Sequence, residues 1–403
     1  MKSIPVTSVK ELKILFSHQQ NKRVFGLDLL RTIAIVLVLF SHGYDPFLSE
    51  FFPNLRQLIF MDGVDLFFVL SGFLIGSILL KQFNTSLDYS PKIIFSFWKR
   101  RWMRTLPNYF FILFIILFIP VIVPNLKGNY SLIPFEVWGS FLIFSQNLFT
   151  PQVDFFSEAW SLSVEEWFYL ITPILLFLSN IIFKNIFSKK LIFLLMITLV
   201  LLVSIIYRYE IGLNLSGKIS DWDSNIRRVT FARLDSIMLG VLGAFIKFSF
   251  PLHWKKKSLF PYLNLLGVLL LFITHFLYLE AIDNNTNFFM NTFYFSLSGI
   301  AVMLFLPHMN HWEKPPKSGV LGIIGKVITH LSIISYSLYL THGYLILGHV
   351  KRYKIQYFDK ILPQSQVTGI AYFTIYFVLS IIVSTFLYHF IEKTFMNMRS
   401  KEI

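Results

Sequence analysis

Apolar residues gather into eleven runs, at about 29–44, 58–80, 107–123, 135–149, 163–183, 190–207, 230–248, 259–280, 288–306, 327–348 and 368–391. Polar residues concentrate in the short gaps between them. One helical crossing of a bilayer takes about 20 apolar residues, and most of these runs approach that length. The fourth is shorter and is broken by Glu136, Gly139, Ser145, Gln146 and Asn147. The pattern predicts an all-α integral membrane protein: a polytopic bundle of about ten transmembrane helices, with 135–149 as a re-entrant or interfacial segment. Such a segment is tolerated only where protein or a cavity surrounds it.

Composition agrees. Of 403 residues, 55% are hydrophobic and 14% charged, with 46 Phe and a mean hydropathy of +0.62. Soluble domains carry about 25% charged residues, so a soluble enzyme is excluded. Charge then orients the bundle. With ten crossings, 24 Lys/Arg fall on one side (the leader, 81–106, 184–190, 247–257, 307–326 and the tail). Only 10 fall on the other, four of them in 208–228, and Arg31 and Arg233 sit at helix edges. The positive-inside rule then puts both termini in the cytoplasm and predicts a multi-pass protein of the inner or plasma membrane. Lys127 and Asp154 are expected together on the outer side. The chain divides into a cytosolic leader (1–24), one membrane domain (25–395) and a cytosolic tail (396–403). The leader is polar and basic, unlike a cleavable signal peptide. The net charge of +14 reads as topology and contact with anionic lipid, not nucleic-acid binding. Cysteine is absent, which removes disulfides, thiol nucleophiles and Cys-based metal sites, and nothing else in the chain calls for a metal.

Ionisable residues inside a bilayer cost about 2.5–3.5 kcal/mol at helix centre, so each invites a functional question. Arg31 and His42 are eleven residues apart in one run, which sets them on one helical face about 16 Å apart. A cation then lies toward the inner side and a titratable base toward the outer. The next run, MDGVDLFFVLSGFLIG, carries Asp62 and Asp65 near its outer end and Ser71 and Gly72 at mid-depth, a pair that suits helix packing or the lining of a path. The segment FWKRRWMRTLP clusters Lys99, Arg100, Arg101 and Arg104 with Trp98 and Trp102 on the inner side. Arg forks match phosphate geometry, and a topology signal is the plainer reading. On the outer side, EAWSLSVEEWFYL puts Glu165 and Glu166 at a helix start, FARLDSIMLG carries Arg233 and Asp235, and SYSLYLTHGY makes a stripe of Ser335, Tyr336, Tyr339 and His342. In the outer loop, Trp222 is a candidate to stack on a sugar face.

These segments together resemble the acyltransferase 3 family of integral membrane O-acyltransferases. The matching pieces run in order: LDLLRTIAIVLVLFSH, GVDLFFVLSGFLIG, RRWMRTLP, WSLSVEEWFYL, FARLDSIMLG and ISYSLYLTHG. The resemblance implies transfer of an acyl group, usually acetyl, from cytosolic acyl-CoA to a hydroxyl of an extracytoplasmic glycan or lipid-linked saccharide. It implies His42 as the catalytic residue and Arg31, Arg101 and Arg104 as the donor-side residues. Glu165 and Glu166 fall within a family motif without a settled duty. Some relatives carry a fused C-terminal SGNH hydrolase-type domain; this chain stops at Ile403 and is expected to act as the membrane domain alone.

Elementary chemistry points the same way. Acyl-CoA carries phosphates that suit an inner basic cluster, and a hydroxyl acceptor needs a general base such as imidazole. Direct transfer and a transient acyl-histidine both satisfy the residues. Asp65, Glu165, Glu166 and Asp235 are candidates to orient His42, while Arg233, Asp235, Tyr339 and His342 are substrate-side candidates. The competing reading is a transporter or flippase for a saccharide or organic anion, with the same charges along its pathway.

Overall fold

The computed structural model describes residues 23–59, 61–85, 89–122, 134–151, 155–361 and 364–399. Residues 1–22 of the leader, 400–403 of the tail, Lys127 and Asp154 lie outside the described residues. Those described fold into helices with no strand among them. The principal elements are α1 (Phe25–Phe47), α2 (Gly63–Thr85), α3 (Pro91–Ile122), α4 (Phe135–Leu142), α5 (Ala159–Phe183) and α6 (Lys189–Gly212). They continue as α7 (Leu234–Ser249), α8 (Phe260–Asn284), α9 (Phe288–His311), α10 (Gly319–Thr341) and α11 (Gln366–Leu387).

Stretches built on α1, α2, α5, α6, α8, α9, α10 and α11 are long and apolar enough to cross a membrane. This is a multi-pass membrane protein. The expected count of ten would require α3 and α7 to cross as well. At 16 residues, α7 rises about 24 Å, and it is enclosed by α2, α6 and α9. Its partners, not lipid, satisfy it. Glycines set that contact: a Cβ on Gly72 would run into the Ile237 carbonyl, and one on Gly240 into that of Val69. Gly72 therefore packs α2 on α7, and the path-lining reading fails for it. By contrast, α8 turns Leu265, Leu266, Leu269, Phe272, Ile273 and Phe276 outward, where lipid tails are their natural neighbours.

The interrupted fourth run forms only the eight-residue α4, about 12 Å long and too short to cross. After it, Phe144 takes a left-handed φ of 57° and turns the chain back. The Tyr109 hydroxyl donates to the Phe141 carbonyl at 2.9 Å, and the Trp167 indole to that of Phe144 at 2.9 Å, wedging the segment between α3 and α5. The polar residues that broke the run are its anchors. Asn147 donates to the carbonyls of Trp160 (3.0 Å) and Arg228 (2.6 Å), and Gln146 to that of Ala159 (3.3 Å).

Charges at the helix junctions are also satisfied by neighbours. The start of α1 has no side-chain cap. Its first N–H groups go instead to the carbonyls after α9, Phe25 to Glu313 (3.2 Å) and Gly26 to Trp312 (2.9 Å). Arg208, counted as a loop charge from the sequence, lies inside α6 and is wholly buried.

Candidate active site

A cavity of about 150 Å³ opens where α1, α2, α3, α5 and α10 meet. One wall is apolar, from Val64 to Ile78 of α2. The other carries Arg31 of α1, Arg101 and Arg104 of α3, and Glu165 of α5. The i, i+3 spacing of Arg101 and Arg104 in a continuous helix aims both at the same space. Stacked Trp98 and Trp102 (5.6 Å, 15°) stiffen this turn, and the Trp98 indole donates to the Tyr169 carbonyl at 3.0 Å, tying α3 to α5.

The cations are held by neighbouring groups. Arg101 donates to Glu165 Oε2 at 3.2 Å and to the Tyr169 hydroxyl at 2.6 Å, and its guanidinium lies 4.2 Å from the Tyr169 ring centre. Its Nε is buried with no hydrogen-bond partner. Arg31 reaches Ser332 Oγ at 3.2 Å and Asp28 at 3.5 Å, while Arg23 takes the same Asp28 with both nitrogens at 2.9 and 2.6 Å. Arg104 lies within electrostatic reach of Arg31 and of Glu392, a buried carboxylate that also accepts from Ser337 at 2.8 Å. Ser71 reaches the cavity and shares a hydrogen bond with the Tyr169 hydroxyl.

Tyr339 also lines this cavity. Its hydroxyl meets Ser161 at 2.6 Å, and its carbonyl accepts from His342 Nδ1 at 2.7 Å. His342 is fully buried, and its Nε2 has no hydrogen-bond partner among the described residues. Its ring stands edge-to-face against His42, with centroids 4.9 Å apart. His42 is exposed, near the end of α1, with Nδ1 2.9 Å from the Val38 carbonyl. A carbonyl only accepts, so both rings carry their proton on Nδ1 and present Nε2 as a lone pair.

The candidate carboxylates fall elsewhere than expected. Glu165 and Glu166 are not at a helix start: α5 begins at Ala159, so they lie two turns in, about 9 Å deeper. Glu165 joins Arg101, and Glu166 accepts from Thr105, one turn further along α3, at 2.9 Å. Asp65 pairs with Arg233 and accepts from Ser298 at 2.7 Å. Asp235 holds Arg208 with both oxygens at 2.8 Å and accepts from Ser296 at 2.6 Å. All four carboxylates are thus engaged with other partners and none bonds to His42. Arg233, a substrate-side candidate, is buried among Asp65, Phe68 and Phe295. Trp222 is 1% exposed and stacks on Phe295 at 5.0 Å, so it offers no face to a sugar. The carboxylate beside the histidines is Glu158, which sequence reasoning passed over although it opens the EAWSLSVEEWFYL segment.

Outside the spans, Arg227 bridges Asp62 (2.7 Å) and Asp223 (2.9 Å) and lies 5.2 Å from the Trp160 ring centre. Burial by itself raises the Asp62 carboxyl, but Arg227 outweighs it and holds the group below the ordinary carboxylate range.

A helical bundle with a basic, apolar-walled cavity next to a pair of histidines places the chain among multi-pass membrane proteins. The family follows from comparison. The chain belongs to the acyltransferase family, whose profile, described as an acyltransferase domain, matches residues 24–389. The O-acetyltransferase OatA of Staphylococcus aureus is 28% identical over 364 residues, covering 86% of this chain and 54% of the relative. A protein of S. aureus strain COL, provisionally named an O-acetyltransferase, is 28% identical over 405 residues, or 94% and 58% of the two chains. The chain thus spans a little over half the length of the curated relatives it matches. No solved structure matches it.

Proposed function

We propose that this protein is a membrane O-acyltransferase that carries an acyl group, acetyl by analogy with the names of its relatives, from cytosolic acyl-CoA to a hydroxyl of an extracytoplasmic saccharide. The observation that carries this reading is the continuity of two unlike sites. Arg31, Arg101 and Arg104 line one cavity, and Tyr339 belongs both to that cavity and to the histidine pair.

The CoA phosphates would meet the arginines, whose forks are suited to bidentate phosphate contacts. The unpartnered Nε of Arg101 leaves a donor for them. The apolar wall of α2 suits the pantetheine arm and the acyl chain. Nε2 of His42 then takes the proton of the acceptor hydroxyl as its oxygen attacks the thioester carbonyl. The C–S bond breaks, and the imidazolium returns the proton to the CoA thiolate. The cytoplasmic placement of both termini belongs to the same reading, because the basic cavity must open to the compartment that holds acyl-CoA.

Inside-out membrane vesicles given labelled acetyl-CoA test it. Label should enter the enclosed saccharide fraction with the native chain and not with His42→Ala at equal abundance. Label that enters only when acetyl-CoA is offered to the opposite face would overturn the through-membrane route.

A further inference from the structure

Glu158 lies in the turn before α5 and is 3% exposed. Its Oε1 accepts the backbone N–H of Tyr344 at 2.7 Å, and its Oε2 the Ser157 hydroxyl at 3.2 Å. Its carbonyl accepts the Tyr339 hydroxyl at 3.2 Å. In an ordinary helix the Tyr344 N–H would go to the carbonyl four residues back. Here α10 passes into a widened π-type turn over His342–Leu347, beginning at the buried histidine. Gly343 makes the room: a Cβ there would overlap Glu158 Oε1. Widened turns have poorer hydrogen-bond geometry and gather at functional sites. A glycine, a widened turn and a stripped carboxylate thus converge on the His42–His342 pair.

We propose that Glu158 is a positioning residue for acyl transfer: its carboxylate fixes the turn that carries His342 and stabilises the imidazolium that forms on His42 when the acceptor hydroxyl gives up its proton. The proposal rests on the general-base reading of His42. The charged and titratable groups facing His42 come from several elements. They are His342 of α10, Glu158, and Arg227 of the loop before α7, itself paired with Asp62 and Asp223. Tyr376 of α11 packs on the next residue, Gly43, and Tyr339 lies behind His342. Arg227 is already paired with two carboxylates, which leaves Glu158 as the carboxylate set against the histidines.

Glu158→Gln is the test, because it keeps an acceptor for the Tyr344 N–H and removes the charge. The first readout needs no acceptor saccharide. Diethyl pyrocarbonate modifies unprotonated imidazole, so its reaction with His42 is followed by mass spectrometry across pH in the purified full chain. The midpoint should move about one pH unit lower in Glu158→Gln and stay near the native value in Glu158→Asp. The second readout is vesicle transfer from labelled acetyl-CoA, where kcat should fall about tenfold with KM for acetyl-CoA unchanged. Gly343→Ala, which displaces the carboxylate while leaving it charged, should also lower kcat. An unchanged midpoint and kcat in Glu158→Gln would overturn the proposal and reduce Glu158 to a prop for the turn. If Glu158→Gln does not accumulate, a Gly343→Ala protein that folds with native kcat and midpoint overturns it equally. A midpoint shifted in Glu158→Gln, with no label transferred even by the native chain, would instead sink the transferase reading and leave the electrostatic coupling standing.

Discussion

Two regions of this bundle bury charge in opposite ways. Among α2, α6, α7 and α9, Arg208 faces Asp235 and Arg233 faces Asp65, each pair at 0–1% side-chain exposure. Serines fill the remaining valences: Ser296 for the first pair, Ser298 for the second. Around the cavity of α1, α3, α5 and α10, by contrast, Arg31, Arg101 and Glu165 keep 16% of their side-chain surface open, and Arg101 Nε has no partner. Unpaired charge in a low-dielectric interior is costly. The saturated pairs therefore read as internal structure, whereas the more open set is the one that the proposed function gives to the acyl donor. An intramembrane charge is a functional pointer only after its partners have been counted.

The comparison breaks most visibly on the saturated side. Arg208→Ala leaves Asp235 buried alone and should cost about 3–5 kcal/mol, read as loss of folded, detergent-extractable protein. Arg208→Met with Asp235→Leu should recover much of that. A well-folded Arg208→Ala protein without activity would move this pair into the catalytic machinery. On the other side, His42→Ala should lower acyl transfer about 10²–10⁴-fold with an unchanged melting temperature. Retention of more than a few per cent of the native rate at equal abundance would remove His42 as the base.

A smaller effect sharpens the cavity's role. Arg101→Ala with Arg104→Ala should weaken CoA binding by about ten- to a hundredfold, as expected for lost charge-assisted bonds, while stability changes little. The two singles need not add, since both face one space. Calorimetry with CoA on the purified protein reads this, and native affinity would leave the arginines as topology signals. The smallest expected effect concerns the loop outside the bundle. Because Arg227 holds the Asp62 carboxyl low, this contact contributes stability above about pH 3.9 and loses it as pH falls through the lower, folded value. The contribution is under about 1 kcal/mol for a partly exposed pair. Hydrogen exchange in 219–233 should rise at low pH in the native chain and be raised at every pH in Asp62→Asn.

How far the sequence reaches depends on what sort of information a residue carries. Runs of apolar residues fix helices because a bilayer leaves no other way to satisfy the backbone. That is why α1, α2 and α5 to α11 fall close to their expected places, and why Arg31 and His42 follow from the 100° period of a single helix; α3 instead starts at Pro91, 16 residues ahead of its apolar run, and takes the basic cluster into the helix. Helix starts are less legible. Trp160 and Ser161 are no part of the apolar run, yet Asn147 and Gln146 reach across to close the turn there, so α5 starts early and carries Glu165 down to Arg101. Glu158 was invisible as a candidate for the same kind of reason: its importance depends on Gly343 and Tyr344, almost two hundred residues away.

Charge pairing is where sequence stops. Spacing along one helix could say that Arg233 and Asp235 do not share a face, but not that each finds its partner on a different neighbour, α2 for one and α6 for the other. The same holds for Trp222, polar-flanked in sequence and sealed against Phe295 in the fold. The chain by itself determined that it lives in a membrane, where its basic segments lie along it, and which imidazole and arginines share a helix face, because those follow from local period and solvent. Which carboxylate each cation keeps, which cations stay open, and which anion stands beside the two histidines were decided only when helices remote in sequence were packed, since a buried charge is defined by the groups that replace its water.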